Sequence, residues 1–347
     1  MAYTDIDKPS DYFNSKLWTG NGTARNIDVG HDTDLIWIKR RDGTANHRLT
    51  DRVRGATNML SSNNTNATQT HAQTVTGFIT NGFSLGTDSG SYDVNTSSQT
   101  YVGWSWKANG SGSLNEVGSI DSTVSANTTA GFSIVSYTGT GSAATVGHGL
   151  GSAPACYIIK QRDATGGWIV YHKGNTSSPE TDYLRLDKTD VTVDDAIFND
   201  TAPTSSVFSI GTNAPVNTSS GTYIAYCFSD VQGYSKFGSY TGNGNADGTF
   251  VYTGFKPAWV LIKNTETASN NWVMIDNKRL GYNVDNNRIY ADLTNAEDTT
   301  DVIDIVSNGF KHRFTGGTSN GSGDNFIYMC FAENPFVTST GVPGTAR

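Results

Sequence analysis

The stretch GSYTGNGNADGTFVYTGFKPAWVLIKN, residues 238–264, reads in order as an aromatic strand end, a glycine-rich turn, a proline and a short apolar run closed by a lysine. Each part recurs. YTGNG at Tyr240 to Gly244 is matched by YTGTG at Tyr137 to Gly141 and by WTGNG at Trp18 to Gly22. WVLIK, ending at Lys263, is matched by CYIIK at Lys160 and LIWIK at Lys39. Pro154 and Pro257 stand shortly before the second and third runs, where a strand entry tolerates a proline that a central ladder position would reject. Outward from the lysines the correspondence holds: His47, Trp168 and Trp272 follow, and four residues later Asp51, His172 and Asp276. NGFSLG around Phe83, SVFSIG around Phe208 and NGFKHRF around Phe310 come next. Each copy closes on a strand of aromatic and small residues, YVGWSWK from Tyr101, YIAYCFS from Tyr223 and FIYMCFA from Phe326.

A unit of about 100 residues, repeated three times, is long enough to carry a core of its own. The expected organisation is a first repeat with an N-terminal arm at 1–110, a Gly/Ser/Asn-rich linker at 111–130, a second repeat at 131–237, and a third with a short tail at 238–347. The runs are short, β-branched and aromatic, and turn residues separate them, so the fold class is all-β: three homologous β-sandwich domains in tandem. In the closing strand, Tyr223, Ala225 and Cys227 alternate with Ile224, Tyr226 and Phe228. Both faces are apolar, as in a central strand with one face in a sandwich core and the other partly covered. Composition agrees. Of 347 residues 16% are charged and 11% aromatic, which argues against helical bundles and against disorder.

The net charge of −8 disfavours nonspecific nucleic-acid binding. Cys156, Cys227 and Cys330 read as free core thiols. The N-terminus lacks an apolar signal segment and no run approaches 18 apolar residues, so synthesis in the cytoplasm without membrane insertion is expected.

No catalytic, cofactor or metal motif stands out. His47, His172 and His312 do not share one repeat position, and the acidic stretch Asp182, Asp187, Asp190, Asp194, Asp195 lacks the spacing of a calcium loop. GTGSAATVGHGLG lacks the GK[ST] ending of a phosphate loop. One basic patch, Lys39, Arg40, Arg41, Arg48, Arg52 and Arg54, belongs to the first repeat alone and reads as a docking surface or a solvated loop. Trp168, Tyr171, Trp272 and Asp276 are candidate ligand contacts if exposed, and core residues of the repeat if not.

MAYTDIDKPSDYFNSKLWTGNGT, GFSIVSYTGTGSAATVGHGLGSAPACYIIKQR, residues 238–264, YVGWSWKANG, GTYIAYCFSDVQGYSKFGSYTG and IYMCFAENPF together resemble a family of proteins from phages of cyanobacteria and other marine bacteria. The resemblance covers nearly the whole chain. It implies a non-enzymatic virion structural or tail-fibre-related protein with concanavalin-like, lectin-type sandwich domains, on the surface of a particle assembled in the host cytoplasm. The partners it implies are other virion proteins, host cell-surface polysaccharide and further copies of the chain. The family supplies no catalytic residues to carry over. The loops at 61–74, 173–182 and 283–300, which diverge between repeats, are the expected host contacts. A head decoration or knob protein is the alternative. A glycan-degrading enzyme would need a carboxylate pair at catalytic separation, and none stands out.

Overall fold

In the computed structural model, which describes residues 3–279, 283 and 287–344, each copy of the repeat forms one large and one small antiparallel sheet. The closing strand, apolar on both faces, takes an interior position each time. Thr100–Trp106 lies between Phe13–Thr19 and Leu35–Arg40, with Arg48–Asp51 outermost. Thr222–Phe228 lies between Phe132–Thr138 and Cys156–Gln161, followed by Trp168–His172. Asn325–Pro335 lies between Ser235–Thr241 and Phe255–Asn264, followed by Val273–Asp276. The register is the same in all three: Leu35 opposes Trp106, Cys156 opposes Phe228, and Trp259 opposes Phe331. A one-residue slip would turn every apolar side chain to the wrong face. Pro257 lies within its strand, at the register shifts of a bulge, where the missing N–H breaks no regular ladder bond.

The small sheets are built from Arg25–Asp28, Gly82–Leu85 and Val75–Ile79; from Ala144–Gly147 and Val207–Ile210; and from Phe250–Tyr252, Gly309–His312 and Ile303–Val306. Between each small sheet and its large partner lies a separate apolar cluster. In the first repeat it joins Trp18, Ile36, Ile38 and Tyr101 to Ile27, Val75, Phe83 and Leu85. The second and third repeats have corresponding clusters around Phe208 and Phe310. The chain is therefore all-β and sandwich-like; its one α-helix among the described residues is the single turn Ala214–Asn217.

Two features depart from the sequence reading. Within the stretch 111–130, expected as a linker, Ser113–Asn115 and Ser122–Asn127 are strands that extend the second large sheet. Its serines and threonines suit an extended backbone, and Ile120 and Val124 are buried beneath it. The outer face of each large sheet, expected to be partly covered, is buried along its central strands, because the three large sheets face one another around a common centre.

That centre is one apolar cluster with members from all three repeats, including Trp37, Trp104, Ile158, Trp168, Tyr226, Trp259, Trp272 and Met329. At its middle the equivalent last aromatics of the three closing strands form a triangle. The ring centroids of Trp106 and Phe331 are 5.7 Å apart, those of Phe228 and Phe331 5.9 Å, and those of Trp106 and Phe228 6.5 Å. These spacings are those of edge-on aromatic packing, which adds to the burial of the rings. Ile6 of the N-terminal arm joins the same cluster, and Asp7 binds Ser339 of the tail through its backbone N–H at 2.6 Å. The three free cysteines are buried.

Candidate functional site

Most of the residues singled out by repetition converge on the seams between repeats, and the seams follow a cyclic order. The three repeated lysines are buried, and each ammonium donates to a backbone carbonyl of the neighbouring repeat: Lys39 to Thr294, Lys160 to Thr65 and Lys263 to Thr189, all at 3.2 Å. Each also donates to a carbonyl of its own repeat, Arg40, Gln161 or Asn270, at 3.0, 2.8 and 2.6 Å. Burial pushes all three down to about 8, against the partial support of nearby aspartates. Backbone bonds repeat the order. Thr68 N–H donates to Arg162 O at 2.7 Å, Thr192 N–H to Thr265 O at 3.0 Å, and Glu297 N–H to Arg41 O at 2.8 Å. Every repeat therefore offers one surface to the repeat before it and a different one to the repeat after it. Such a contact closes into a ring when the rotation permits.

The next repeated position does the same work. The indole N–H of Trp168 donates to Ser61 O at 2.9 Å, and that of Trp272 donates to Arg185 O at 2.8 Å. In the first repeat His47 occupies the place. Its Nδ1 accepts from the Trp37 indole at 2.8 Å, so its Nε2–H is the donor to Tyr290 O at 2.9 Å. Burial holds this imidazole neutral, well below its ordinary pKa.

At the third position the residue types vary together. Asp276 accepts from the Trp104 indole at 3.0 Å, and Asp51 accepts from the Tyr226 hydroxyl at 2.8 Å. The residue equivalent to Trp104 and Tyr226 in the third repeat is Met329, which has no proton to donate, and the facing position is His172 rather than aspartate. His172 accepts from Gly174 N–H at Nδ1 and donates from Nε2 to Tyr328 O at 3.0 Å. Burial lowers its pKa to about 4, so it is a neutral partner where a carboxylate would be stranded. Each aspartate is also held by an arginine three residues on, Arg54 to Asp51 at 2.5 Å and Arg279 to Asp276 at 2.6 Å.

The expected ligand contacts are thus interior: Trp168 is 0% exposed, Trp272 3%, Tyr171 4% and Asp276 2%. Tyr171 stacks on Tyr157 with centroids 4.6 Å apart inside the second repeat. Of the expected docking patch, Lys39, Arg48 and Arg54 are buried, while Arg40, Arg41 and Arg52 stay partly exposed. Lys39 is buried at the seam, and the arginines pair within the chain: Arg40 with Asp42, Arg41 with Glu297, Arg48 with Asp93, Arg52 with Asp34 and Arg54 with Asp51. A cluster of cations beside closely packed sheets needs counter-charges within reach; neighbouring aspartates supply some, and Asp93 and Glu297 are brought in from distant loops. Of the expected contact loops, 61–74 contributes Ser61, Asn64, Thr65 and Thr68 to the seam with the second repeat. The described part of 283–300 contributes Tyr290, Thr294 and Glu297 to the seam with the first.

One buried carboxyl beside a seam is poorly served. Asp292 accepts from Trp272 N–H at 3.0 Å, while its Oδ2 has no hydrogen-bond partner. Burial raises its pKa to about 7. An acid whose folded pKa lies above its unfolded value destabilises the fold as pH rises from about 4 to 7, and the cost is complete above that window. Asp292→Asn is expected to gain about 1–2 kcal/mol over wild type at pH 8 and almost nothing at pH 4. Urea midpoints at both pH values check this; an equal gain at the two would sink it.

What remains open is a groove at one corresponding end of each repeat, where the strand leaving the small sheet turns towards the large one. The first, of about 300 Å³, is lined by Asp11, Tyr12, His31, Asp32, Asn81 and Lys107. The second, of about 260 Å³, is lined by Pro154, Tyr171, Lys173, Pro203, Ser229 and Asp230. The third and largest, of about 420 Å³, is lined by Tyr3, Asp230, Gln232, Lys236, Tyr252 and Gly254. Of these lining residues sequence reading singled out Tyr171 as a candidate contact, and Lys173 as part of the loop 173–182; it missed the rest. A signal was present in TFVYTG, since the equivalent strands RNID and ATVG carry no aromatics. Among the described residues no group of three or more His, Cys, Asp or Glu side chains is placed to hold a metal ion.

A family model described as a domain of unknown function, DUF7483, matches residues 8–335, so the chain belongs to that family. No curated protein matches it.

Proposed function

From a family whose description assigns no activity, we propose that this chain is a non-enzymatic structural protein of a bacteriophage virion, a tail-fibre or tail-associated component that presents three concanavalin-like sandwich domains for host-surface recognition. The observation that carries the reading is the division of labour between the seams and the grooves. Repeated positions hold the three units together, whereas the open ends of the units differ in lining. A rigid body with several unlike shallow grooves suits attachment to a polymer through more than one contact, where linked weak sites reinforce one another. Other virion proteins and copies of the same chain would be its neighbours on the particle, and host polysaccharide its external partner. The phrases shared with marine phage proteins support the virion assignment.

The cyclic order of the repeats favours one second reading, a decoration or knob protein on the head, because a three-part ring matches a threefold position on a shell. Gold-labelled antibody against the chain, imaged on intact particles by cryo-electron microscopy, tests both. Label on the tail is the expected result, and label on the head favours the second reading. Particles without label would sink the two together.

A further inference from the structure

The third groove differs from the other two in carrying a solvent-facing aromatic ring, Tyr252, with a second, Phe250, beside it. Phe250–Tyr252 pairs with Gly309–His312 on one side only and is the edge of its sheet. Alternation along it sends Val251 into the core, at 5% exposure, and leaves Phe250 at 46% and Tyr252 at 48%. The two outward rings stand roughly 7 Å apart along the strand. Large exposed aromatics on one face carry a cost in water that a bound partner would remove.

The polar groups around the rings are arranged by the backbone. The N-terminal arm reaches across so that the Tyr3 hydroxyl donates to Gly254 O at 2.6 Å, and Thr4 Oγ1 donates to Gln232 O at 2.7 Å. Both approaches need glycine. Gly254 and Gly233 have φ of +83° and +77°, and a Cβ on either would meet Tyr3 or Thr4 at 2.8 Å. The Lys236 ammonium stands over the Tyr252 ring, 5.6 Å from its centroid, and forms no ion pair among the described residues. The nearest acidic wall residue, Asp230, is engaged by Lys173 and by Phe237 N–H at 2.8 Å. The groove therefore combines the exposed ring of Tyr252, an uncommitted cation and the exposed amide of Gln232, with the Phe250 ring beside it on the same face of the strand.

We propose that this groove is a saccharide site for a carboxylate-bearing sugar. The ring of one residue stacks on Tyr252, a neighbouring residue lies against Phe250, and Lys236 meets the carboxylate. An apolar C–H face on an aromatic ring, with a charged and an amide group at its edge, satisfies both sides of a pyranose. The assignment rests on the host-polysaccharide reading above and adds the site and the substrate class.

Calorimetric titration of the full chain with a hexamer of galacturonic acid tests it, with maltohexaose as the neutral probe. Wild type is expected to bind the acidic hexamer in preference. Tyr252→Ala is expected to weaken that binding at least tenfold, and Lys236→Gln to abolish the preference with an unchanged thermal midpoint. Phe250→Ala serves as a second exposed variant should Tyr252→Ala lower the midpoint. Failure of wild type to bind the acidic hexamer, equal binding of both hexamers, or unchanged affinity in the aromatic variants overturns the proposal. Retention of Tyr252→Ala on whole host polysaccharide overturns this site while leaving host recognition standing. Particles that lack the chain would instead remove the broader reading.

Discussion

Asp276→Ala is expected to destabilise the whole chain by about 3–5 kcal/mol. The side chains of both Asp276 and Arg279 are 0% exposed. One carboxylate oxygen accepts from Arg279 Nε at 2.6 Å and from the Trp104 indole at 3.0 Å; the other accepts from the N–H groups of Lys278 and Arg279 at 2.9 and 3.0 Å. Truncation leaves a buried guanidinium facing the first repeat without its closest counter-charge, and it strips an indole of its partner. Burial alone would raise the Asp276 carboxyl, but Arg279 and the surrounding donors outweigh it and hold the pKa below the usual carboxylate value. The sign follows. A depressed folded pKa contributes stability that is present above the unfolded value near 4 and is lost as pH falls through the folded pKa. The variant should therefore show a smaller loss of stability than wild type on acidification below that value. Guanidinium unfolding between pH 2 and pH 7 checks both parts. A cost under about 1 kcal/mol, or an acid limb parallel to that of wild type, would count against the seam as described.

The second large effect is expected at the centre. Phe331 belongs to the third repeat, yet its ring lies 5.1 Å from Phe13, 5.7 Å from Trp106 and 5.9 Å from Phe228, residues of the other two. Phe331→Ala is expected to cost about 3–5 kcal/mol, because a fully buried ring is lost from a site walled by stiff aromatics that cannot collapse inward. The distribution of the loss is more informative than its size. Since all three large sheets share this cluster, amides in Thr100–Trp106 and Thr222–Phe228 should exchange faster along with those in Asn325–Pro335. Exchange by mass spectrometry reads this directly. Faster exchange confined to the third repeat would mean that the repeats fold as independent units.

Both predictions depend on a face that could be seen in the sequence but not assigned. The closing strands carry apolar residues on both faces, and that pattern requires two covers. One cover is local, since the small sheet lies in the same repeat and its strands carry the NGFSLG, SVFSIG and NGFKHRF phrases. The other is contributed by two distant repeats. Repetition likewise marked Lys39, Lys160 and Lys263, and Trp168 with Trp272, as equivalent. It could not tell that the equivalence served contacts between repeats, because a donor aimed at a neighbouring carbonyl leaves no trace in spacing. The covariation of Asp51 with Tyr226, Asp276 with Trp104, and His172 with Met329 becomes readable only once the cyclic order is known. The basic patch reads differently for a related reason: five arginines and a lysine of a short segment look solvent-facing, and the acidic residues that meet Arg48 and Arg41 come from the distant positions 93 and 297.

By itself the sequence determined the β class, the threefold repetition, the strand at each apolar run and the buried free cysteines. These follow from side-chain alternation and turn chemistry, whose range is a few residues. The tertiary structure alone decided that the large sheets enclose a common core, that the glycine- and serine-rich stretch after the first repeat joins the second sheet, and that aromatic rings stay open to solvent at Phe250 and Tyr252. Burial is a property of what packs against a surface, and here each large sheet is covered by sheets of the other two repeats.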